Sequence, residues 1–373
     1  MQNINNLRIS ILRQTFPEHQ IDAFLVLIDE NRRYLSGFTG EDTGFDESAG
    51  ALLITADDLV LLTDSRYTLQ AERESPGFRV ITYKKGLAKE LPELLSSLSV
   101  RRLGYEKRKM TCELFETISG ELEKAGSNPA PSLAGLTDTV EKQRIIKSDD
   151  EIQAIRKALL LAENAFSGML EILVPGMPET DAAWDLEKRM REAGAQSVSF
   201  PVIAAAGRNA ALPHAVPGPD PIPEGKPVLF DWGARLDGYC SDTSRTLVIG
   251  KPDSRFQSVF DAVYDAREKA TKQIRPGAWT LDIDAAAREV LKEKGLDGYF
   301  GHGLGHGVGL AIHEKPSLGP SAERNIRLEE NMVFTVEPGV YIPDWGGVRL
   351  ENMVVVRSGG AEVLNTLPDR ITV

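Results

Sequence analysis

Phe230-Asp231-Trp232-Gly233-Ala234-Arg235-Leu236-Asp237-Gly238-Tyr239-Cys240-Ser241-Asp242-Thr243-Ser244-Arg245-Thr246 is the stretch on which the fold turns. Asp237-Gly238 is a type I′ turn signal, because both central residues of that turn need positive φ, and strand-like residues stand on either side. In a hairpin with a two-residue loop, opposed residue numbers sum to an odd constant. Asp231 and Asp242 satisfy that parity, so they are directly or diagonally paired and share one face. Two carboxylates on one face repel unless they bind cations or share a proton. An equally ordinary reading has one aspartate at a turn and the other capping a strand.

Outward from this hairpin, residues 198–206, 227–234 and 239–249 have strand composition. Upstream, Ser148-Asp149-Asp150-Glu151 fits a capping box, and the helix it opens is predicted to run to Pro175-Gly176. Further helices are predicted over 180–194, 254–274 and 280–294, and the remainder reads mainly as strands. Helices mixed with hairpin-joined strands indicate an antiparallel α+β domain rather than a βαβ sheet. The first part differs. Apolar runs at 23–28, 51–54, 59–63 and 78–82 alternate with helix-like stretches at 65–74 and 111–124, the pattern of a smaller α/β domain. Ser127-Asn128-Pro129-Ala130-Pro131-Ser132 has the composition of a linker. We therefore expect domains at 1–135 and 136–373, and the 373 residues agree with two or three domains of roughly 150 residues each.

Composition excludes several classes. Lys and Arg number 43 against 55 Asp and Glu, for a net charge of −12, so no global field draws in nucleic acid or anionic lipid. With 42% hydrophobic and 26% charged residues the chain is not disordered. No apolar run approaches the ~18 residues of a membrane span. Met1-Gln2-Asn3-Ile4-Asn5-Asn6 is polar and offers no signal core. Cys112 and Cys240 cannot form a disulfide framework, and neither belongs to a C-x-x-C pair. The expectation is a soluble, cytoplasmic, two-domain protein.

Histidine locates the chemistry. Of five, His214, His302, His306 and His313 lie in the second domain, three of them in Gly301-His302-Gly303-Leu304-Gly305-His306-Gly307-Val308-Gly309-Leu310-Ala311-Ile312-His313-Glu314. His302 and His306 have the spacing of a helical zinc pair, but Gly303 and Gly305 make a helix poor and the intervening Glu is missing. The glycines fail G-x-G-x-x-G in every frame, so this is no dinucleotide loop. A glycine-rich backbone that presents imidazoles suits a wall that must approach a ligand or metal closely. A plain loop with incidental histidines is the other reading. Farther on, Glu337 ends an apolar strand pattern, where a charge is expensive unless paired. Glu351 shares a face with Arg349 by the period of two, although an Arg–Glu surface pair would look the same. Together Asp231, Asp242, His306, Glu337 and Glu351 make four carboxylates and one imidazole. Their −4 matches two divalent cations, and the oxygen-rich set with no thiolate suits Mn²⁺, Co²⁺, Fe²⁺ or Zn²⁺.

These strings resemble the signatures of the pita-bread metallopeptidases, the group of aminopeptidase P, prolidase and methionine aminopeptidase. The resemblance rests on Asp231-x-Gly233, Ser241-Asp242-Thr243-Ser244-Arg245-Thr246, His302-x-x-Gly305-His306-Gly307-Val308-Gly309, His313-Glu314-x-Pro316, Glu337-Pro338-Gly339 and Val348-Arg349-Leu350-Glu351. Asn31-Arg32-Arg33-Tyr34-Leu35-Ser36-Gly37-Phe38-Thr39-Gly40 and Leu62-Thr63-Asp64-Ser65-Arg66-Tyr67 resemble the creatinase-like N-terminal domain. Methionine aminopeptidases normally lack that domain, so the resemblance implies the Xaa-Pro branch: an enzyme that cleaves the bond before proline in short peptides.

It further implies that Asp231 chelates one metal ion, His306 and Glu337 the other, and that Asp242 and Glu351 bridge them, with Mn²⁺ or Co²⁺ the foremost candidates. A water between two such ions loses its proton near neutral pH and becomes the nucleophile. Glu337 would shuttle the proton to the proline nitrogen, His214, His302 and His313 would act on substrate and oxyanion, and Arg349 would orient Glu351. His302 as a core residue holding the glycine-rich wall is the alternative. A homodimer is also implied. One departure is Ser317, where many relatives carry the Arg that could hold a dipeptide carboxylate. Creatinase-type hydrolases of this fold lack the full metal set, and non-catalytic relatives have typically lost ligands. All five are present here.

Overall fold

Ala23–Val26 is buried at every position. It runs antiparallel to Ala51–Thr55 on one side and parallel to Arg102–Glu106 on the other. Ala23 and Leu25 pack with Leu91, Leu94, Ile118 and Leu122, and Phe24 and Val26 on the opposite face are just as fully buried, so both faces are covered and the run is continuous rather than alternating. The sheet has six strands, ordered Arg79–Thr82, Leu59–Thr63, Ala51–Thr55, Ala23–Val26, Arg102–Glu106, Ser132–Leu136. The computed structural model describes residues 2–42, 44, 47–126, 130–371 and 373, with only the backbone of 2–4. In the linker-like segment, Ser127, Asn128 and Pro129 lie outside these described residues.

The chain forms two compact units that meet in sequence at Gln143 and Arg144. In the first, the conspicuous polar residues of the 31–40 string are structural. Asn31 Nδ2 donates to Glu106 Oε1, and Glu106 Oε2 accepts the amides of Leu27 and Ile28, all at 2.6 Å. Burial pushes the Glu106 carboxyl up to about 8 even against these donors. Arg32 is fully buried and binds Leu27 O, Gly40 O and the Asp42 carboxylate.

In the second unit every strand pairing is antiparallel. The hairpin turn has φ of 50° at Asp237 and 80° at Gly238, both positive as the type I′ turn requires. Asp231 stands directly across from Ser244, which makes Asp242 its diagonal neighbour. Phe230 and Trp232 flank Asp231 and are fully buried. Trp232 stacks on Phe166 at 4.0 Å between centroids, and its indole donates to Ala162 O at 2.9 Å. The pleat therefore drives both aromatics into the core, and Asp231 must face the other way.

Helix Asp149–Leu170 opens with the expected reciprocal capping box. It stops earlier than predicted, at Leu170. Ile172 N bonds Met169 O and Leu173 N bonds Leu170 O, tight turns that unwind the chain ahead of Pro175. The residue before a proline is disfavoured as helix, so the end moves upstream. Helices Ser254–Thr271 and Thr280–Glu293 cover a five-stranded sheet ordered Glu314–Leu318, Gly305–Gly307, Val333–Val336, Asn352–Arg357, Gly360–Val363. A fully buried Arg245 ties the hairpin to the chain's end. It donates to Glu351 O at 2.5 Å, and to Asn352 Oδ1, Leu367 O and Pro368 O at 3.1 Å each. No helix among the described residues is long and apolar enough to cross a membrane.

Candidate metal centre

All nine residues singled out above line one cavity of about 580 Å³ in the second unit. They arrive from separate elements. Asp231 sits in strand Pro227–Trp232, and Asp242 lies just ahead of Thr243–Val248. His306 is the middle residue of Gly305–Gly307, and Glu337 immediately follows Val333–Val336. Glu351 lies between Gly346–Arg349 and Asn352–Arg357, at the kink where the chain passes from one sheet to another. Gly305 has to be glycine, because a Cβ there would lie 1.9 Å from Thr335 O. That close approach brings His306 beside the Glu337 strand.

The centre consists of acceptors that face acceptors. His306 Nδ1 lies 3.2 Å from Gly307 O, a group that can only accept, so the proton is on Nδ1 and the lone pair of Nε2 points inward. That Nε2 is 3.4 Å from Asp242 Oδ2 and 3.4 Å from Glu337 Oε1. Ligand atoms of Asp242, His306 and Glu351 all lie within 4.8 Å of one another. Asp231 Oδ1 and Glu351 Oε1 are buried with no hydrogen-bond partner among the described residues. Burial, then the charges of Glu351 and Asp231, push the Asp242 carboxyl well above its ordinary range. Burial, then Glu337 and Asp231, do the same to Glu351. Burial raises Glu337 to about 7, against the pull of Arg349. Orphaned oxygens and mutually repelling carboxylates around an imidazole lone pair fit divalent cations.

The surrounding bonds fix these groups. Thr335 Oγ1 accepts the His306 amide and donates to Glu337 Oε1, both at 3.1 Å. Ser244 Oγ donates to Glu351 Oε2 at 2.7 Å and accepts Arg349 Nε at 2.8 Å. Arg349 Nη2 pairs directly with Asp231 Oδ2 at 2.6 Å. Arg349 was expected to orient Glu351. It meets Glu351 through Ser244, with Arg349 and Glu351 both facing the cavity and Val348 and Leu350 in the core, as the period of two requires.

The histidines divide. His302 spends both ring nitrogens inside the protein: Nδ1 donates to Gly303 O at 2.8 Å, and Nε2 accepts Tyr341 Oη at 2.9 Å. Tyr341 Oη in turn accepts Arg349 Nη1 at 2.7 Å. Burial, then the Arg349 charge, hold the imidazole of His302 down to about 4, so it is neutral. His214 and His313 are exposed to the cavity instead. The His214 loop is tied at its base by the buried carboxylate of Glu179, which accepts Ala206 N, Asn209 Nδ2 and Gly218 N at 2.6, 2.6 and 2.9 Å. Sequence reasoning missed Tyr341, Thr335 and Glu179. Thr335 could have been found two residues before Glu337 on the same strand face. Tyr341, inside the apolar strand Gly339–Ile342, gives no signal.

The chain matches the model of metallopeptidase family M24 over residues 153–358, and that of the creatinase/prolidase N-terminal domain over residues 8–146. The solved structure of a Xaa-Pro dipeptidase from Bacillus anthracis is similar with a TM-score of 0.91 at 35% identity, over 99% of this chain and 100% of that one. The X-Pro aminopeptidase of Thermotoga maritima gives a TM-score of 0.87 at 35% identity, over 98% and 99%. A Xaa-Pro dipeptidase of Pyrococcus horikoshii is 32% identical over 363 residues, 97% of each chain. The α+β unit is thus a pita-bread catalytic domain, preceded by a creatinase-like domain. On two family models and relatives matched over nearly their whole length, this chain belongs to metallopeptidase family M24.

Proposed function

We propose that the protein is a metal-dependent Xaa-Pro peptidase, hydrolysing the bond between an N-terminal residue and proline. The observation that supports this most directly is the convergence of His306 Nε2 with Asp242 and Glu337 oxygens at 3.4 Å, lone pair to lone pair, on the floor of an open cavity. In this reading Asp231, Asp242, His306, Glu337 and Glu351 hold two divalent ions, Mn²⁺ or Co²⁺. Such ions, when bound, supply Lewis acidity and lower the pKa of water toward neutrality. Glu337 carries a proton to the prolyl nitrogen, which leaves only once protonated. His214 and His313 donate to the carbonyl oxygen as it gains charge. His302 works through Tyr341 and Arg349, keeping the Asp231 side in place.

One wall of the cavity is apolar, with Phe200, Ile203, Pro213 and Val216, and suits a proline ring. Ser317 lies opposite His306 in the strand pair, so no guanidinium projects from that position, while Arg324 lines the same cavity farther along. Both peptide lengths therefore belong in the assay. Hydrolysis of Xaa-Pro and Xaa-Pro-Yaa peptides should be absent in demetallated protein and return with Mn²⁺ or Co²⁺. Full activity after metal removal verified by elemental analysis overturns the reading. We further propose a homodimer acting in the cytoplasm. The thiols of Cys112 and Cys240 are free, in keeping with a reducing compartment, and sedimentation of a fully active monomer would contradict the dimer.

A further inference from the structure

Glu314 follows His313 directly, yet it faces away from the cavity and carries no part of the chemistry described so far. Its carboxylate is enclosed. Oε1 lies 2.7 Å from Lys147 Nζ, and Oε2 takes Arg144 Nη2. The three side chains are 8%, 1% and 5% exposed for Glu314, Lys147 and Arg144. Burial alone would raise the Glu314 carboxyl, but Lys147 and Arg144 outweigh it and keep it below the usual range, so it is ionised. A buried cluster of one anion and two cations is a poor device for stability, since desolvation offsets most of the attraction. Its placement suggests another use.

The turn that presents His313 is wound on this carboxylate. Ala311 N donates to Glu314 Oε2 at 3.4 Å, and Gly309 N donates to Ala311 O at 3.1 Å. The carboxylate fills the space that Gly309 leaves open, where a Cβ would sit 2.4 Å from Oε1. On the other side of the backbone the His313 ring meets the His306 ring edge-on, with centroids 4.3 Å apart. Lys147 and Arg144 come from the first residues of the second unit, just ahead of helix Asp149–Leu170. The turn is therefore anchored to a fixed point of the fold by charge, not by packing.

We propose that Glu314, locked between Arg144 and Lys147, is a positioning residue that sets where the His313 imidazole stands over the metal centre. The inference rests on the reading of His313 as a donor to substrate. The test is a double-mutant cycle on the manganese-loaded enzyme with Glu314→Gln, which keeps an acceptor for Ala311 but removes the charge, and His313→Ala. A displacement of about 1 Å is enough for a loss near 10²-fold, so Glu314→Gln should lower kcat by ~10–100-fold. KM should change by less than about 3-fold, with metal stoichiometry unaltered. In the His313→Ala background the same substitution should lower kcat by less than about 2-fold, because the group it positions is gone. Lys147→Met keeps the carboxylate and its Arg144 partner. It should show a smaller loss with the same dependence on His313, and it carries the cycle if Glu314→Gln does not fold. If His313→Ala is slow but the losses multiply, or if metal content falls with activity, the positioning role is wrong while the function of His313 stands. If His313→Ala alone leaves kcat intact, the role of His313 fails and this inference with it.

Discussion

Ser244 joins two carboxylates that do not touch. Its hydroxyl donates to Glu351 and accepts from Arg349, whose other arm holds Asp231. Removing it leaves a buried guanidinium nitrogen and a buried carboxylate oxygen short of a partner. Ser244→Ala should therefore weaken metal binding by ~10–100-fold, the scale for losing a group that orients a ligand, and metal titration monitored by activity and by elemental analysis measures it. His306→Ala should lose its metals outright, whereas His302→Ala should keep them, because both nitrogens of His302 are already committed to Gly303 and Tyr341. The residues that gather in the cavity were legible in the sequence. Carboxylates at the end of an apolar strand or across a hairpin are expensive enough to demand an explanation. Tyr341 was not, since a tyrosine in an apolar strand looks like any core aromatic until its hydroxyl partners are known.

At the scale of elements, hairpin parity placed Asp231 and Asp242 on one face because a two-residue turn leaves no freedom of register. The same period of two put Arg349 and Glu351 on one face, and both line the cavity while Val348 and Leu350 are buried in the core. It does not say which carboxylate Arg349 holds, since Asp231 comes from another strand. Helix Asp149–Leu170 is legible at one end only: its start is written in a capping box, its end in a proline that acts from several residues away. The His214 loop depends on a comparable remote brace. Glu179→Gln retains only one acceptor oxygen for three donors, so the loop should loosen. We expect kcat/KM for Xaa-Pro-Yaa peptides to fall by ~10-fold with metal content unchanged. Steady-state kinetics beside elemental analysis would show this, and a parallel loss of metal would mean that Glu179 braces the ligands instead.

At the scale of the whole molecule, the first unit carries a pH dependence independent of catalysis. Glu106 titrates near 8 when folded because burial penalises its charge. Unfolded, it titrates near the ordinary ~4.3 of a glutamate. Between those values the folded state binds the extra proton, so stability is highest at the acid end of the window and falls as pH rises through it. The slope approaches about 1.4 kcal/mol per pH unit. Hydrogen exchange of the Ala23–Val26 amides in the full chain should report a weaker unit at pH 8 than at pH 5.5, and Glu106→Gln should flatten the difference. Two-domain organisation was visible from composition. The burial of Glu106 was not, because nothing beside Arg102-Leu103-Gly104-Tyr105 marks it as enclosed. One last consequence follows from Arg245, which grips Glu351 O with one nitrogen while its others hold the carbonyls of Leu367 and Pro368. The carbonyl of Glu351 is thus tied to residues 367–368 rather than to its strand neighbours alone. A proteolytic nick after Asn352 would loosen the Glu351 carboxylate although no residue of the cavity wall had been lost.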